Sequence, residues 1–387
     1  MMIIGIPREI MPEENRVAAI PETVKKFIGL GYEVHVEHNA GWGSYYRDRD
    51  YAEAGAKIEE DVQDLYAKAD LILKVKEPML NASVGKHEID MIKPGATLIT
   101  FLHPAAPGNH EMIKNLRDKN ITAFTMDGIP RISRAQKMDA LTSMSTITGY
   151  KSVLIAASHL AVMLPMVGTA IGPLKPANFL VIGAGVVGLQ AIATAKRLGA
   201  VVRLIDIQSK AREAAMSLGA KVEGFEVPDE IALGKGGYAK ALPPDWLRKE
   251  QELISPILKE TDAVILSALV PGEVAPRLIT NEMLSSMKPG SVIIDVSIDQ
   301  GGNCSETVPG EKTISKDVLI SGIKNIPGSV PVHSTWLYAN NIFYFVENLY
   351  KGGTVTFDTQ DEIVSSSLVT HNREILHEGA LKAMTQN

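Results

Sequence analysis

Three glycines, Gly183, Gly185 and Gly188, follow an apolar run and open a stretch with helical periodicity. Glycines at that spacing also occur in ordinary turns, so the flanking strand and helix carry the inference. In a strand–turn–helix unit the first glycine permits the tight turn, the second lets backbone approach a pyrophosphate, and the third lets helix and strand pack closely. The N–H groups of Val186 and Val187 then face phosphate charge at a helix N-terminus. The next apolar run ends at Asp206, 21 residues past Gly185, the position of a ribose-binding acid. A carboxylate at Asp206, followed by Ile207, accepts hydrogen bonds from an adenosine 2′-hydroxyl and repels a 2′-phosphate. It therefore favours NAD(H) over NADP(H), although Lys210 and Arg212 lie nearby. Ser267, Ala268 and Leu269 end a later strand and Asp299–Asn303 follows another, where open α/β sheets make cofactor contacts. Taken alone, each reads equally well as a plain loop.

A second group of chemically capable residues precedes this unit. Arg16, Lys74 and His103 stand at or after predicted strand ends, and with Asp299 they form a set suited to a small carboxylate. Solvated charges at strand ends are an equal reading. The polar segment Pro130–Asp139 carries Arg131, Gln136 and Asp139, groups that can hold a nicotinamide ring by hydrogen bonds without exchanging protons. A polar helix entry capped by Ser133 fits as well. His35 and His38 are three apart on a predicted strand and face opposite sides, so no metal site is expected. Neither an H-E-x-x-H nor a G-x-S-x-G motif occurs.

The elements that must position these residues are legible from hydropathy. Of 387 residues 45% are hydrophobic and only 5% aromatic, a composition suited to aliphatic strands and helices in two domains. Short apolar runs at Met2–Ile6, Glu33–Glu37, Leu71–Val75 and Thr97–Phe101 alternate with helical stretches, which predicts a parallel sheet. From Ala140 to Leu164 a long helix is expected. A second βα series begins at Asn178, and a further helix spans Val332–Tyr350. Thr354–Asn387 is too short to fold alone and is expected to return to the first domain. The predicted architecture is α/β, two Rossmann-like domains with parallel sheets, the second inserted into the first through long helices. The first domain is 1–141 plus 330–387, the second 145–327. Val227–Pro244, rich in glycine, reads as a functional loop.

The charge balance, 45 acidic against 39 basic residues without long blocks, gives nucleic-acid binding little support. The one cysteine, Cys304, fits a reducing compartment. No apolar run is long enough for a membrane span, and export is not expected.

At these residues the sequence resembles the NAD(H)-binding component, domain I, of proton-translocating NAD(P) transhydrogenase, over essentially its whole length. Alanine dehydrogenase is a relative with the same fold. Gly5-Ile6-Pro7-Arg8-Glu9 with Arg16, the glycine fingerprint and Met287–Val292 are common to both. Two features resemble transhydrogenase specifically. In Pro130–Gln136 with Met138-Asp139, the resemblance implies that Arg131, Gln136 and Asp139 orient the dihydronicotinamide. Thr142 stands where that pattern has serine and retains the hydroxyl. Gly236–Lys240 resembles the tip of a mobile loop, implying that Gly237 and Tyr238 close over the nucleotide. Conversely, Lys74, His103 and Asp299–Gly302 resemble the substrate lysine, acid/base histidine and catalytic aspartate region of alanine dehydrogenase. The resemblance implies NADP(H) on a partner subunit, membrane-spanning partners, a homodimer, and a cytoplasmic position peripheral to the membrane.

Chemistry ranks the readings. Alanine oxidation moves protons on an amine and a water and needs a positioned acid/base. Hydride transfer between two nicotinamide rings needs chiefly alignment. Hydride transfer from NADH to NADP+ is the leading expectation. Alanine dehydrogenase is the first alternative, and a non-catalytic NAD(H)-binding subunit is the second.

Overall fold

The computed structural model describes residues 1–234, 239–270, 274–351, 354–355 and 358–385. The chain divides into two units, Met1–Met144 with Pro327–Asn387, and Ser145–Ile326.

In the first unit, apolar segments such as Ile3–Ile6 and Leu71–Leu73 are buried and pair in parallel, as runs covered by helices on both faces do. The sheet order is Glu374–Ile375, Leu368–His371, Thr122–Thr125, Thr97–Thr100, Leu71–Leu73, Ile3–Ile6, Glu33–Glu37 and Lys57–Glu59. Its first six strands in sequence run parallel, and Leu368–His371 adds antiparallel to Thr122–Thr125. Successive strands are laid outward in one direction from Ile3–Ile6 and in the other from Leu71–Leu73. The carboxyl ends of those two neighbours therefore form a topological switch point. The helix Pro331–Leu349 covers the sheet, burying Tyr338, Ile342, Phe345 and Val346 among Phe27, Ile99 and Phe124. Each such burial stabilises by roughly 1.5–3 kcal/mol.

The second unit repeats the plan. Its sheet runs Lys221–Val222, Val201–Ile205, Asn178–Ile182, Ala263–Leu266, Val292–Asp295, Val318–Ser321 and Lys312–Ser315. All neighbours are parallel except the last pair. The switch point lies between Asn178–Ile182 and Ala263–Leu266. Both sheets are thus parallel with antiparallel edges, because a returning hairpin needs no crossover helix.

The helix Ala140–His159 passes from the first unit to the second. It ends five residues before the expected Leu164, and the strands Val167–Thr169 and Gly172–Leu174 form a hairpin beyond it. No helix among the described residues is long and apolar enough to cross a membrane.

Candidate functional site

Buried positions Gly188, Ala191, Ile192 and Ala195 recur at helical spacing on the helix Val186–Arg197, so its inner face is small and lies close to the sheet. At Gly188 the approach is extreme, since an added Cβ would stand 1.9 Å from the Gly183 carbonyl oxygen. Gly183 has φ +92°, and its missing Cβ would meet Ala268 N at 2.8 Å. Gly185 differs from both, for no protein atom lies within 4 Å of where its Cβ would point. The first and third glycines are therefore required by packing. The second faces open space at a helix N-terminus, a place where backbone N–H groups receive an anion.

Asp206 closes the turn from the neighbouring strand. Its Oδ2 accepts from Ala184 N at 2.6 Å and its Oδ1 from Gln208 N at 2.7 Å. Burial pushes this carboxyl above its usual range, against the two amides and the Arg212 charge. Arg212 donates from Nη1 to the Asp206 carbonyl oxygen at 3.0 Å. Ser267 Oγ donates to the Gly183 carbonyl at 2.9 Å, joining the two loops of the switch point. Leu269 is partly exposed beyond them. Gly237 and Tyr238 lie outside the described residues; on either side of them, Leu233 and Ala239 form an antiparallel bridge.

Sequence reasoning missed the residues that hold this loop in place. Asn303, fully buried, accepts from Ala268 N at 3.1 Å and donates Nδ2 to the Ala268 and Pro276 carbonyls at 2.9 Å each. Asp295 in turn accepts from Asn303 N, Cys304 N and the Thr307 hydroxyl. An acid ending the buried strand Val292–Asp295 was the available signal. Gly149 was also missed. A Cβ there would meet the Val187 carbonyl oxygen at 2.3 Å, so the helix Ala140–His159 seats directly on the first turn of the fingerprint helix.

The polar segment before that helix is a short 3-10 stretch, Ser133–Met138. Ser133 does not cap it, because Ile132 occupies the cap position and supplies no side-chain bond. The cap of the long helix is Asp139, which accepts from Thr142 N at 2.8 Å and the Thr142 hydroxyl at 2.6 Å. Arg131 and Gln136 are exposed, and Arg134 makes two 2.8 Å bonds to Asp361.

The first unit's switch point is occupied by charge. Lys74, 1% exposed, donates to Glu88 at 2.8 Å and lies 3.5 Å from Glu9. Burial alone would lower its pKa, but the two carboxylates raise it. Burial pushes Glu9 up to about 7 despite Lys74. Arg16 pairs with Glu14 at 2.6 Å, and these two line a cavity of about 300 Å³ with Arg8, Glu9, Asn15 and Trp42. His103 stacks on Phe101, and its Nδ1 stands 2.9 Å from Asp127 Oδ1. The Asp127 charge raises His103 to about 8. Phe101 also lies against Tyr338, whose hydroxyl donates to the Lys74 carbonyl at 2.6 Å. Arg16, Lys74 and His103 thus belong to one neighbourhood. Asp299, in the second unit, is exposed and lies 3.6 Å from Lys324.

The alanine dehydrogenase/PNT N-terminal domain matches residues 5–148, and the alanine dehydrogenase/PNT C-terminal domain matches residues 152–378. The chain belongs to the alanine dehydrogenase/PNT family. Within that family it is 43% identical over 381 residues to a chain of NAD(P) transhydrogenase subunit alpha from Rhodospirillum rubrum, covering 97% of this chain and 98% of that one. Alanine dehydrogenase of Methanococcus maripaludis is 32% identical over 390 residues, covering 99% and 96% respectively. The crystal structure of transhydrogenase from Sinorhizobium meliloti superposes with a TM-score of 0.81 at 38% identity, covering 97% of this chain and 99% of that one.

Proposed function

We propose that this chain is the NAD(H)-binding component of an NAD(P) transhydrogenase. It binds NADH and presents the ring to NADP+ held by a partner subunit, while proton translocation occurs in a membrane-spanning partner. The observation that carries the reading is the cradle at the second switch point, where Gly185 faces open space and Asp206 stands at the end of the next strand. In it, Gly183, Gly185 and Gly188 with the N–H groups of Val186 and Val187 hold the pyrophosphate, and Asp206 with Ile207 holds the adenosine ribose. Ser267, Ala268 and Leu269 line the opposite loop. Arg131, Gln136, Asp139 and Thr142 orient the nicotinamide, and Gly237 and Tyr238 close over the nucleotide.

Kinship to a chain named for subunit alpha of a transhydrogenase supports further subunits. A homodimer, peripheral to the membrane on the cytoplasmic side, completes the proposal. The hairpin beyond the connecting helix supports it, with Ile171 wholly exposed and Met166 and Leu174 largely so. Apolar tips of this kind are usually covered by another protein surface.

Hydride transfer between two nicotinamides leaves the protons of the reacting carbons in place, so alignment supplies most of the acceleration. The test mixes the chain with an NADP(H)-binding partner component and follows reduction of NADP+ by NADH. Transfer that requires both components supports the proposal; binding of NADH without transfer supports a non-catalytic binding subunit.

One observation favours a second reading. His103, paired with Asp127, is an acid/base group poised near neutral pH, as amino-acid oxidation requires. NADH oxidation by the chain alone, dependent on pyruvate and ammonia and lost in His103→Gln, would establish an alanine dehydrogenase.

A further inference from the structure

A carboxyl stands where the pattern of one helix calls for an apolar side chain. The helix Pro244–Leu258 buries Ile254, Ile257 and Leu258 on its inner face. Glu250, four residues before Ile254 on that same face, is only 5% exposed. Among the described residues it makes no hydrogen bond, yet its oxygens are not wholly sealed from solvent. Burying a carboxyl without a partner is unfavourable, and such breaks in a local rule concentrate at functional positions.

Its neighbourhood is the adenosine end of the cradle. Ile207, adjacent to Asp206, packs in one cluster with Phe225, Trp246 and Leu253, which carries this helix to the end of the strand Val201–Ile205. Burial and then the Asp206 charge push Glu250 up to about 8. The surrounding cations are engaged elsewhere. Arg212 donates to the Asp206 and Phe225 carbonyls, Arg277 to the Cys304 carbonyl, Arg248 pairs with Asp245, and Lys249 lies over the Trp246 ring.

We propose that Glu250 is a specificity-determining residue for the coenzyme, a second carboxyl set beside Asp206 whose ionisation sharpens the rejection of a 2′-phosphate. The inference rests on the reading of Asp206 as the ribose acid. At pH 7 Glu250 holds its proton, and Asp206 alone repels the phosphate. By pH 9 Glu250 is ionised, and two negative charges face a dianionic group. An unphosphorylated ribose presents only neutral hydroxyls there and is nearly indifferent to the change.

The experiment titrates the full chain with NADH, and with NADPH by competition, at pH 7 and pH 9. In the wild type the preference for NADH should grow roughly three- to tenfold between those pH values, the effect of one added charge in a partly solvated site. Glu250→Gln should bind NADH within about threefold of wild type at pH 7 and show a preference that no longer changes with pH. Glu250→Asp, which keeps a titrating carboxyl, should restore the change. Superimposable wild-type and Glu250→Gln profiles, with NADH bound by both, would overturn this inference alone. A wild-type chain that binds neither coenzyme would overturn the dinucleotide reading and this inference with it.

Discussion

The two units place a topological switch point at the same position in similar sheets and furnish it in opposite ways. In the second unit the loops are glycine, small side chains and backbone amides, and the space before Gly185 is open. In the first, Lys74, Glu88 and Glu9 fill the position with mutually compensating charge. A fold can thus offer one crevice twice and use one for an anionic ligand and the other for an internal polar network. What distinguishes them is whether the polar groups are spent on each other.

Breaking the contrast at its strongest point gives the largest effect. Gly188→Val should prevent stable folding of the second unit, since its Cβ cannot stand 1.9 Å from the Gly183 carbonyl. The expected cost exceeds about 3 kcal/mol in chemical denaturation. Gly185→Val should leave the fold within about 1 kcal/mol of wild type while abolishing NADH binding, because it fills only the open side. In the first unit, Lys74→Met strands Glu88 and Glu9 without their cation and should cost about 3–5 kcal/mol. NADH affinity, measured on the folded fraction, should be unchanged.

Asp206→Ala should weaken NADH roughly ten- to hundredfold, the usual loss for a charged hydrogen-bond acceptor, whereas Gln136→Asn should slow transfer and leave affinity within about twofold. Equal loss of binding in both would collapse the separation of roles.

The smallest effect concerns His103 and pH. Its folded pKa of about 8 exceeds the unfolded 6.5, so its contribution is fully present below about 6.5 and is lost as pH rises through 8. For Asp127, burial is outweighed by His103, holding the acid at about 2; its contribution is present above 3.8 and is lost as pH falls through 2. The stability deficit of His103→Gln should therefore be largest between about pH 4 and 6.5 and vanish near pH 9 in thermal melts. Since the ring is half-exposed, that deficit should be about 1 kcal/mol or less.

Much of this architecture was legible because its signals are local. Apolar runs located Asn178–Ile182 and Val201–Ile205, and the glycine spacing placed the turn between strand and helix. The residues that escaped act across long sequence separations. Asn303 stabilises the loop at Ala268, and Glu250 is unusual only because its helix face is buried. Neither fact has a signature in neighbouring residues. Asp139 illustrates the other difficulty, since the polar segment contained several plausible caps and only backbone geometry chose Asp139 over Ser133.

The central claim is that the second unit alone grips the coenzyme through Gly185 and Asp206. Calorimetric titration of the chain with NADH and NADPH, alongside Asp206→Ala and Lys74→Met, tests it most directly. The account predicts tight uptake of NADH, weaker uptake of NADPH, a large loss in Asp206→Ala and none in Lys74→Met. Tighter uptake of NADPH, no uptake of either, or a loss confined to Lys74→Met would contradict it.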